Sequence, residues 1–102
     1  MASPGLCVLY RFRLKSGKES QFIEAWAAIT RQLRDQRGGL GSRLHQGPEG
    51  VWYAYAQWPS AEARNAAFDG PPVDAEASSR MNEAIEERFP EIVLEPVEDL
   101  LI

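Results

Sequence analysis

The segment 51–58 carries the residue pattern best suited to binding a ligand. It has the alternation of a strand, and Trp52, Ala54, Ala56 and Trp58 share one of its faces because side chains alternate between the two sides of a sheet. Two small side chains between two indoles leave room for a flat aromatic molecule. The alternative is that the alanines only accommodate neighbouring core side chains, and the sequence leaves both interpretations open.

Other predicted elements supply side chains to the same region. Tyr10 and Phe12 lie on one face of the predicted first strand, and Phe22 and Trp26 belong to the apolar stripe of the helix that follows. Met81 belongs to the apolar stripe of a later helix. The Tyr10 hydroxyl could donate a hydrogen bond to a substrate oxygen, or it could simply lie at the edge of the core. Together these residues predict a mostly apolar, aromatic lining.

Metal, nucleotide and nucleophile chemistry are not indicated. One histidine, one cysteine and scattered carboxylates predict no metal site and no other cofactor. Gly38 and Gly39 follow a predicted helix and are typical of a helix stop, not of a phosphate-binding loop. His45 could act as a general base, but it alternates with Leu44 and is expected to point away from the aromatic lining.

The composition predicts one small domain, residues 1–102, in the cytoplasm. The chain has 44% hydrophobic residues and a net charge of −4, which suits a packed core. Its basic residues are scattered and lack the clustered footprint of a nucleic-acid-binding protein. The lone Cys7 excludes an internal disulfide and fits a reducing compartment. No apolar run approaches the roughly 18 residues of a membrane span.

The order of predicted elements is β-α-β-β-α-β, with the second helix broken in two. This order is typical of the ferredoxin-like α+β fold, an antiparallel sheet with helices on one face. The expected elements are a strand at 6–14, a helix from a Ser16 N-cap and Glu19 capping box to about residue 36, strands at 40–46 and 51–58, helices at 60–68 and 74–89, and a last strand at 92–102.

The opposite face of the sheet is predicted to be a subunit interface. Tyr53, Tyr55 and Gln57 alternate with the indoles and alanines and so point away from the helices. Arg43 and His45 of the preceding strand share that face. Tyrosines on an uncovered sheet are typical of interfaces, and we expect a homodimer.

Three phrases resemble the antibiotic biosynthesis monooxygenase family. They are residues 14–19, residues 38–44 and, most specifically, Gln57-Trp58-Pro59-Ser60. The resemblance covers about residues 6 to 101. It implies a dimeric α+β barrel with a pocket between each sheet and its helices. Relatives include cofactor-free oxygenases of polycyclic phenols, quinol oxygenases and haem-degrading enzymes, so the fold alone does not determine the chemistry.

The resemblance also assigns roles to particular residues. Trp58 matches a tryptophan of the phenol oxygenases, whose asparagine four residues earlier is replaced here by Ala54. The third helix lies over the pocket in relatives, so Arg80 is the expected cation, although it could be an ordinary surface arginine. The asparagine of haem-degrading relatives falls on Tyr10, and their iron-binding histidine is not matched by His45. Haem breakdown is therefore not expected.

The sequence therefore predicts a cofactor-independent monooxygenase that oxidises a small aromatic phenol, hydroquinone or polyketide-like substrate with O2. The alternative is a non-catalytic dimeric module that binds an apolar ligand or another protein. The expected catalytic residues are Trp58, Tyr10 and Arg80, and the expected substrate-binding residues are Phe12, Phe22, Trp26, Trp52, Ala54, Ala56 and Met81.

Overall fold

Strands and helices follow the predicted order in a computed structural model that describes residues 5–100. The strands are β1 (Leu6–Leu14), β2 (Ser42–Gln46), β3 (Trp52–Trp58), β4 (Ile85–Arg88) and β5 (Ile92–Leu94), and the helices are α1 (Glu19–Gln36), α2 (Ala61–Phe68) and α3 (Ala75–Ala84). Five strands and three helices within this range confirm the predicted α+β ferredoxin-like class, with its second helix broken in two.

The strands form an open antiparallel sheet in the order β2-β3-β1-β4, and β5 pairs with β1 on the same edge as β4. In the β1–β3 register, Tyr10 lies opposite Ala54 and Val8 opposite Ala56. Directly opposed residues share one face of a sheet. The large side chains of β1 therefore stand beside the small side chains of β3.

The helices cover the sheet face that carries Ala54, Ala56 and Trp58, as the alternation of side chains along this strand predicts. Val8, Ala54 and Trp58 on that face are buried. Helix α1 buries Phe22, Ala25 and Ile29, and α3 packs against α1 around Ala77. The core therefore lies between one sheet face and the helices. An antiparallel sheet commonly packs only one of its faces on the core in this way.

The predicted capping box at the start of α1 is wrong. The helix begins at Glu19, its N-cap is Lys18, and no side chain caps it. Gly17 has φ +82°, and the Lys18 N–H donates to the Lys15 carbonyl over 3.0 Å. This tight turn, which a glycine makes without steric cost, carries Ser16 out of the cap position.

The predicted bounds of the last helix and strand are also wrong. Helix α3 ends at Ala84, and the next residues form β4 instead of continuing the helix to residue 89. Their backbone completes the free edge of β1, where the Lys15 N–H donates to Ala84 and the Phe89 N–H donates to Arg11. Strand β5 ends at Leu94, before Pro96, and the predicted end at Ile102 lies outside the described residues.

Removing the N-cap of α2 is expected to destabilise the protein. The Ser60 Oγ accepts a hydrogen bond from the Ala63 N–H over 3.0 Å, so Ser60→Ala leaves that N–H without its partner. We expect a loss of about 1 kcal/mol in the free energy of unfolding, measured by urea denaturation. Ser79→Ala, at an exposed position inside α3, is the control. An equal effect of the two changes would contradict the assignment.

The N-cap of α3 predicts a dependence of stability on pH. The Asp74 carboxylate accepts hydrogen bonds from the Ala77 N–H over 3.0 Å and from Gln32 Nε2 over 2.8 Å. These bonds hold the pKa of Asp74 below its ordinary value of 3.8. Because the folded-state pKa is lowered, this stabilisation is present above the ordinary pKa and is lost as the pH falls through the lowered pKa.

The difference in Tm between the wild type and Asp74→Asn should therefore shrink as the pH falls below about 4. Thermal unfolding followed by circular dichroism across acidic pH measures it. Asp69→Asn, at the end of α2, is the matched control because its side chain makes neither of these contacts. A Tm difference that stays constant with pH would show that the charge of Asp74 contributes nothing.

Candidate active site

A cavity of about 320 Å³ lies between the helix-covered face of the sheet and the helices. All of the predicted site residues except Arg80 and Trp52 line it. These are Tyr10, Phe12, Phe22, Trp26, Ala54, Ala56, Trp58 and Met81.

The two alanines of β3 form part of the floor of this cavity. Ala54 and Ala56 are both buried, and both line the cavity. Phe22 and Trp26 reach it from α1, and Phe12 packs against Phe22 with ring centroids 4.7 Å apart. The aromatic residues thus fill only part of the volume between sheet and helix, and flat apolar walls surround the remainder.

Trp58 is held in place from two sides. Its ring meets Phe68 of α2 nearly edge to face, with centroids 5.7 Å apart and planes at 64°. On another side it lies against Gly39, where an added Cβ would stand 3.4 Å from the indole carbons. The indole Nε1 is buried and has no hydrogen-bond partner within residues 5–100. A buried donor without an acceptor costs about 1–3 kcal/mol, so an acceptor brought to this N–H would relieve that cost.

An ion pair and a tyrosine adjoin the Trp58 end of the cavity. Arg64 of α2 donates through Nη2 to the Tyr10 hydroxyl over 3.2 Å, and the same nitrogen lies 2.6 Å from Glu91 Oε2. The guanidinium carbon is 5.6 Å from the centroid of the Phe68 ring. Arg64 is thereby placed against the cavity by a hydrogen bond, an ion pair and an aromatic contact.

These contacts fix the protonation of both groups. Burial raises the pKa of Tyr10, although the hydrogen bond and charge of Arg64 lower it in part. Burial by itself would lower the pKa of Arg64, but Glu91 and Tyr10 raise it above its ordinary value. Tyr10 is therefore a neutral phenol and Arg64 a cation near neutral pH. Since the tyrosine oxygen accepts from Arg64, its own proton is left to donate elsewhere.

The structure separates two predicted site residues from the cavity. Arg80 is about half exposed, and its Nη2 lies 3.5 Å from Glu24 Oε2. Trp52 lies opposite Phe12 at the far end of β3 from Trp58 and packs into the neighbouring core. Neither side chain is part of the cavity lining.

The lining also contains residues that the sequence did not single out. Arg64 could have been found, because it precedes Ala67 and Phe68 by three and four residues on one helix, which places all three on one side. For Arg34 and Arg88, no comparable spacing in the sequence indicated a position at the cavity. The remaining lining residues are Ile29, Thr30, Leu33, Gly39, Gly41, Ser42, Phe68 and Ile85, together with Gln57, which the sequence assigned to the opposite face.

The opposite face of the sheet carries the predicted interface residues. Arg43 and His45 are exposed, and Tyr53, Tyr55 and Gln57 are half-buried. The Tyr55 hydroxyl lies 2.9 Å from the Sγ atom of Cys7, whose side chain is buried as the sequence predicts.

Within residues 5–100, no three histidine, cysteine or acidic side chains are grouped so that they could hold a metal ion. In the same range, no helix has both the length and the apolar character needed to cross a membrane.

Solved structures of similar fold share little sequence with this chain. Rv0793 of Mycobacterium tuberculosis is 19% identical, with 97% of this chain and 100% of that chain covered at a TM-score of 0.73. SnoaB of Streptomyces nogalater, described as a cofactor-independent oxygenase, is 13% identical, with 96% and 98% covered at a TM-score of 0.76. At these identities the likeness is one of fold alone.

The sequence matches no curated protein significantly. It does match the family model for antibiotic biosynthesis monooxygenases over residues 5–78. That range contains β1 to β3, α1 and α2, together with Tyr10, Trp58 and Arg64. The chain therefore belongs to the antibiotic biosynthesis monooxygenase family.

Proposed function

We propose that this protein is a cofactor-independent monooxygenase that oxidises a flat phenol or hydroquinone with O2. The observation that carries the proposal is the aromatic cavity, which Trp58 and Tyr10 both line, together with a Tyr10 hydroxyl whose own proton is not used in its hydrogen bond with Arg64. Membership of the family supports an oxygenase, and the fold shared with SnoaB, a cofactor-independent oxygenase, is consistent with it.

In the proposed reaction the substrate supplies the electrons. A hydroquinone loses a phenolic proton, and the resulting anion is electron-rich enough at a ring carbon to reduce O2. A C–O bond forms at that carbon, its C–H bond and the O–O bond break, and the second oxygen atom leaves as water. The products are a hydroxyquinone and H2O, so atoms and electrons balance.

The protein's contribution is to stabilise the phenolate and to hold the ring in a dry site. In this proposal the Tyr10 O–H donates to the phenolate, and the Trp58 N–H, which is enclosed in this structure, joins it after a small shift of the indole. Fixed donors in a water-poor site stabilise a developing oxyanion strongly. Arg64 polarises the Tyr10 hydroxyl through their 3.2 Å hydrogen bond. In this proposal Arg64, and not the surface residue Arg80, is the cation of the site.

One observation favours the alternative of a non-catalytic binding module. Ala54 occupies the position at which the phenol oxygenases carry an asparagine, so the floor of the cavity offers no side-chain amide there. A cavity of this shape could bind a flat ligand without reacting. Oxygen consumption separates the two functions, because ligand binding alone uses no O2.

The oxygenase proposal is tested by oxygen uptake with a panel of naphthohydroquinones, compared with anaerobic incubation. Tyr10→Phe removes a donor to an anion, which is expected to lower kcat/KM about 10- to 100-fold. Trp58→Phe removes the indole donor and should lower it at least about tenfold. Tyr53→Phe, which loses a hydroxyl on the other face of the sheet, is the matched control.

Substrate binding without oxygen uptake across the whole panel would refute the oxygenase proposal and support the binding module. Full turnover by Trp58→Phe would remove Trp58 from any essential role. A loss in Tyr53→Phe as large as that in Tyr10→Phe would mean that the effect comes from stability and not from the cavity.

We also propose that two copies pair through the open face of the sheet to complete an α+β barrel. Family members are generally dimeric. The face presents Tyr53 and Tyr55. The segment that adjoins Tyr55 at Leu100 leaves Val97 96% and Leu100 86% exposed. Apolar side chains exposed to this degree on so small a domain are typical of an interface.

Tyr55→Asp would place a charge on that face opposite its copy, and burying an unpaired charge is costly. We expect a dimeric wild type and a variant shifted towards monomer in sedimentation velocity experiments. Arg31→Asp on the exposed surface of α1 is the control, and circular dichroism checks folding. A monomeric wild type at every concentration measured would refute the pairing.

A further inference from the structure

We propose that the substrate carries an ionised acidic group, such as an aromatic carboxylate, and that Arg64 is the residue that binds it. This inference rests on the proposed function, because it defines the substrate class of the same cavity. It is argued from the charges around the cavity and from the contacts of Arg64.

The lining of the cavity is basic although the chain is acidic. Arg34, Arg64 and Arg88 line it, and no aspartate or glutamate does, whereas the whole chain has a net charge of −4. A cleft lined by charges of one sign, with low-dielectric walls, concentrates ligands of the opposite sign. The charges of the lining therefore favour anions, although Glu91 and Asp35 lie beside two of the three cations.

Arg64 is the most enclosed of these three cations. Its side chain is 20% exposed, whereas that of Arg34 is 54% exposed and lies beside Asp35, and Arg88 donates to Asn82 at the surface. Salt screens an interaction with a partly buried charge less than it screens an interaction with an exposed one. Arg64 is therefore the cation best able to fix the position of a ligand.

Arg64 also has N–H donors without an acceptor. Both Tyr10 and Glu91 contact its Nη2, and its Nε is buried without a partner within residues 5–100. A guanidinium presents five N–H donors in a fork that matches a carboxylate. An anionic group in the cavity would bind the part of the guanidinium that lines the cavity and not the enclosed Nε, and Glu91 would compete with it for the same charge.

An anion at Arg64 would also orient the rest of the substrate. Phe68 and Tyr10 flank the guanidinium, and Trp58 meets Phe68 edge to face. A flat ring attached to the acidic group would therefore lie along aromatic walls. A phenolic oxygen ortho to the acidic group would then be near the Tyr10 hydroxyl, which lies 3.2 Å from Arg64 Nη2. Two anchored points fix the orientation of a planar molecule.

The test measures binding and not turnover. Titration calorimetry of the purified protein compares 2-naphthoate with its neutral amide, two molecules of similar shape that differ in charge and are not hydroquinones. We expect the carboxylate to bind at least about tenfold more tightly than the amide, as for a charged hydrogen bond. Added salt should weaken binding of the carboxylate and leave that of the amide unchanged.

Variants on the two sides of the ion pair should act in opposite directions. Arg64→Gln should abolish the preference for the carboxylate, and Glu91→Gln should strengthen its binding by removing a competing negative charge. Arg31→Gln, an equal loss of charge on the exposed surface of α1 outside the cavity, should leave the preference intact.

Equal affinities for the two naphthalenes would overturn the inference. So would an Arg64→Gln variant that keeps the preference, or a parallel loss of binding in Arg64→Gln and Glu91→Gln, which would indicate a merely structural ion pair. Because these probes need no O2, an absence of oxygen uptake with hydroquinones would count against the oxygenase and leave the acid-binding result standing.

Discussion

The packing between the sheet and the helices is incomplete over two alanines, and the candidate site depends on that gap. Protein interiors are normally filled to crystal-like density. Here Ala54 and Ala56 in the middle of β3 lie opposite Tyr10 and Val8, while Phe22 and Trp26 of α1 stand above. The space that these side chains leave is enclosed by rings and flanked by hydrogen-bond donors, so the same feature that weakens the core forms a pocket.

Much of this arrangement could be predicted from the sequence because strong alternation fixes which side chains share a face. The aromatic and small residues of β1 and β3 lie on the helix-covered face as expected. The failures occurred where local signals competed with tertiary contacts. The Ser16 capping pattern gave way to a turn at Gly17, and the end of the last helix became β4 because the free edge of β1 offered backbone partners.

The charged part of the site was harder to predict than the apolar part. Long cationic side chains are compatible both with surfaces and with apolar pockets, so helical spacing could make Arg64 a candidate but could not rank it above Arg80. The difference comes from long-range contacts. Glu91 lies in the connection between β4 and β5. It reaches the ion pair with Arg64 because β4 and β5 both pair with β1.

Gly39 has two separate effects on the fold. It belongs to the two-glycine stop after α1, where its N–H donates to the Leu33 carbonyl, and its missing side chain lets the Trp58 indole come close. A methyl group at this position would lie in close van der Waals contact with the indole, at 3.4 Å. Gly39 is buried in the connection between α1 and β2 and lines the cavity. A single substitution there would therefore narrow the binding space and change which ring systems fit, without altering any strand.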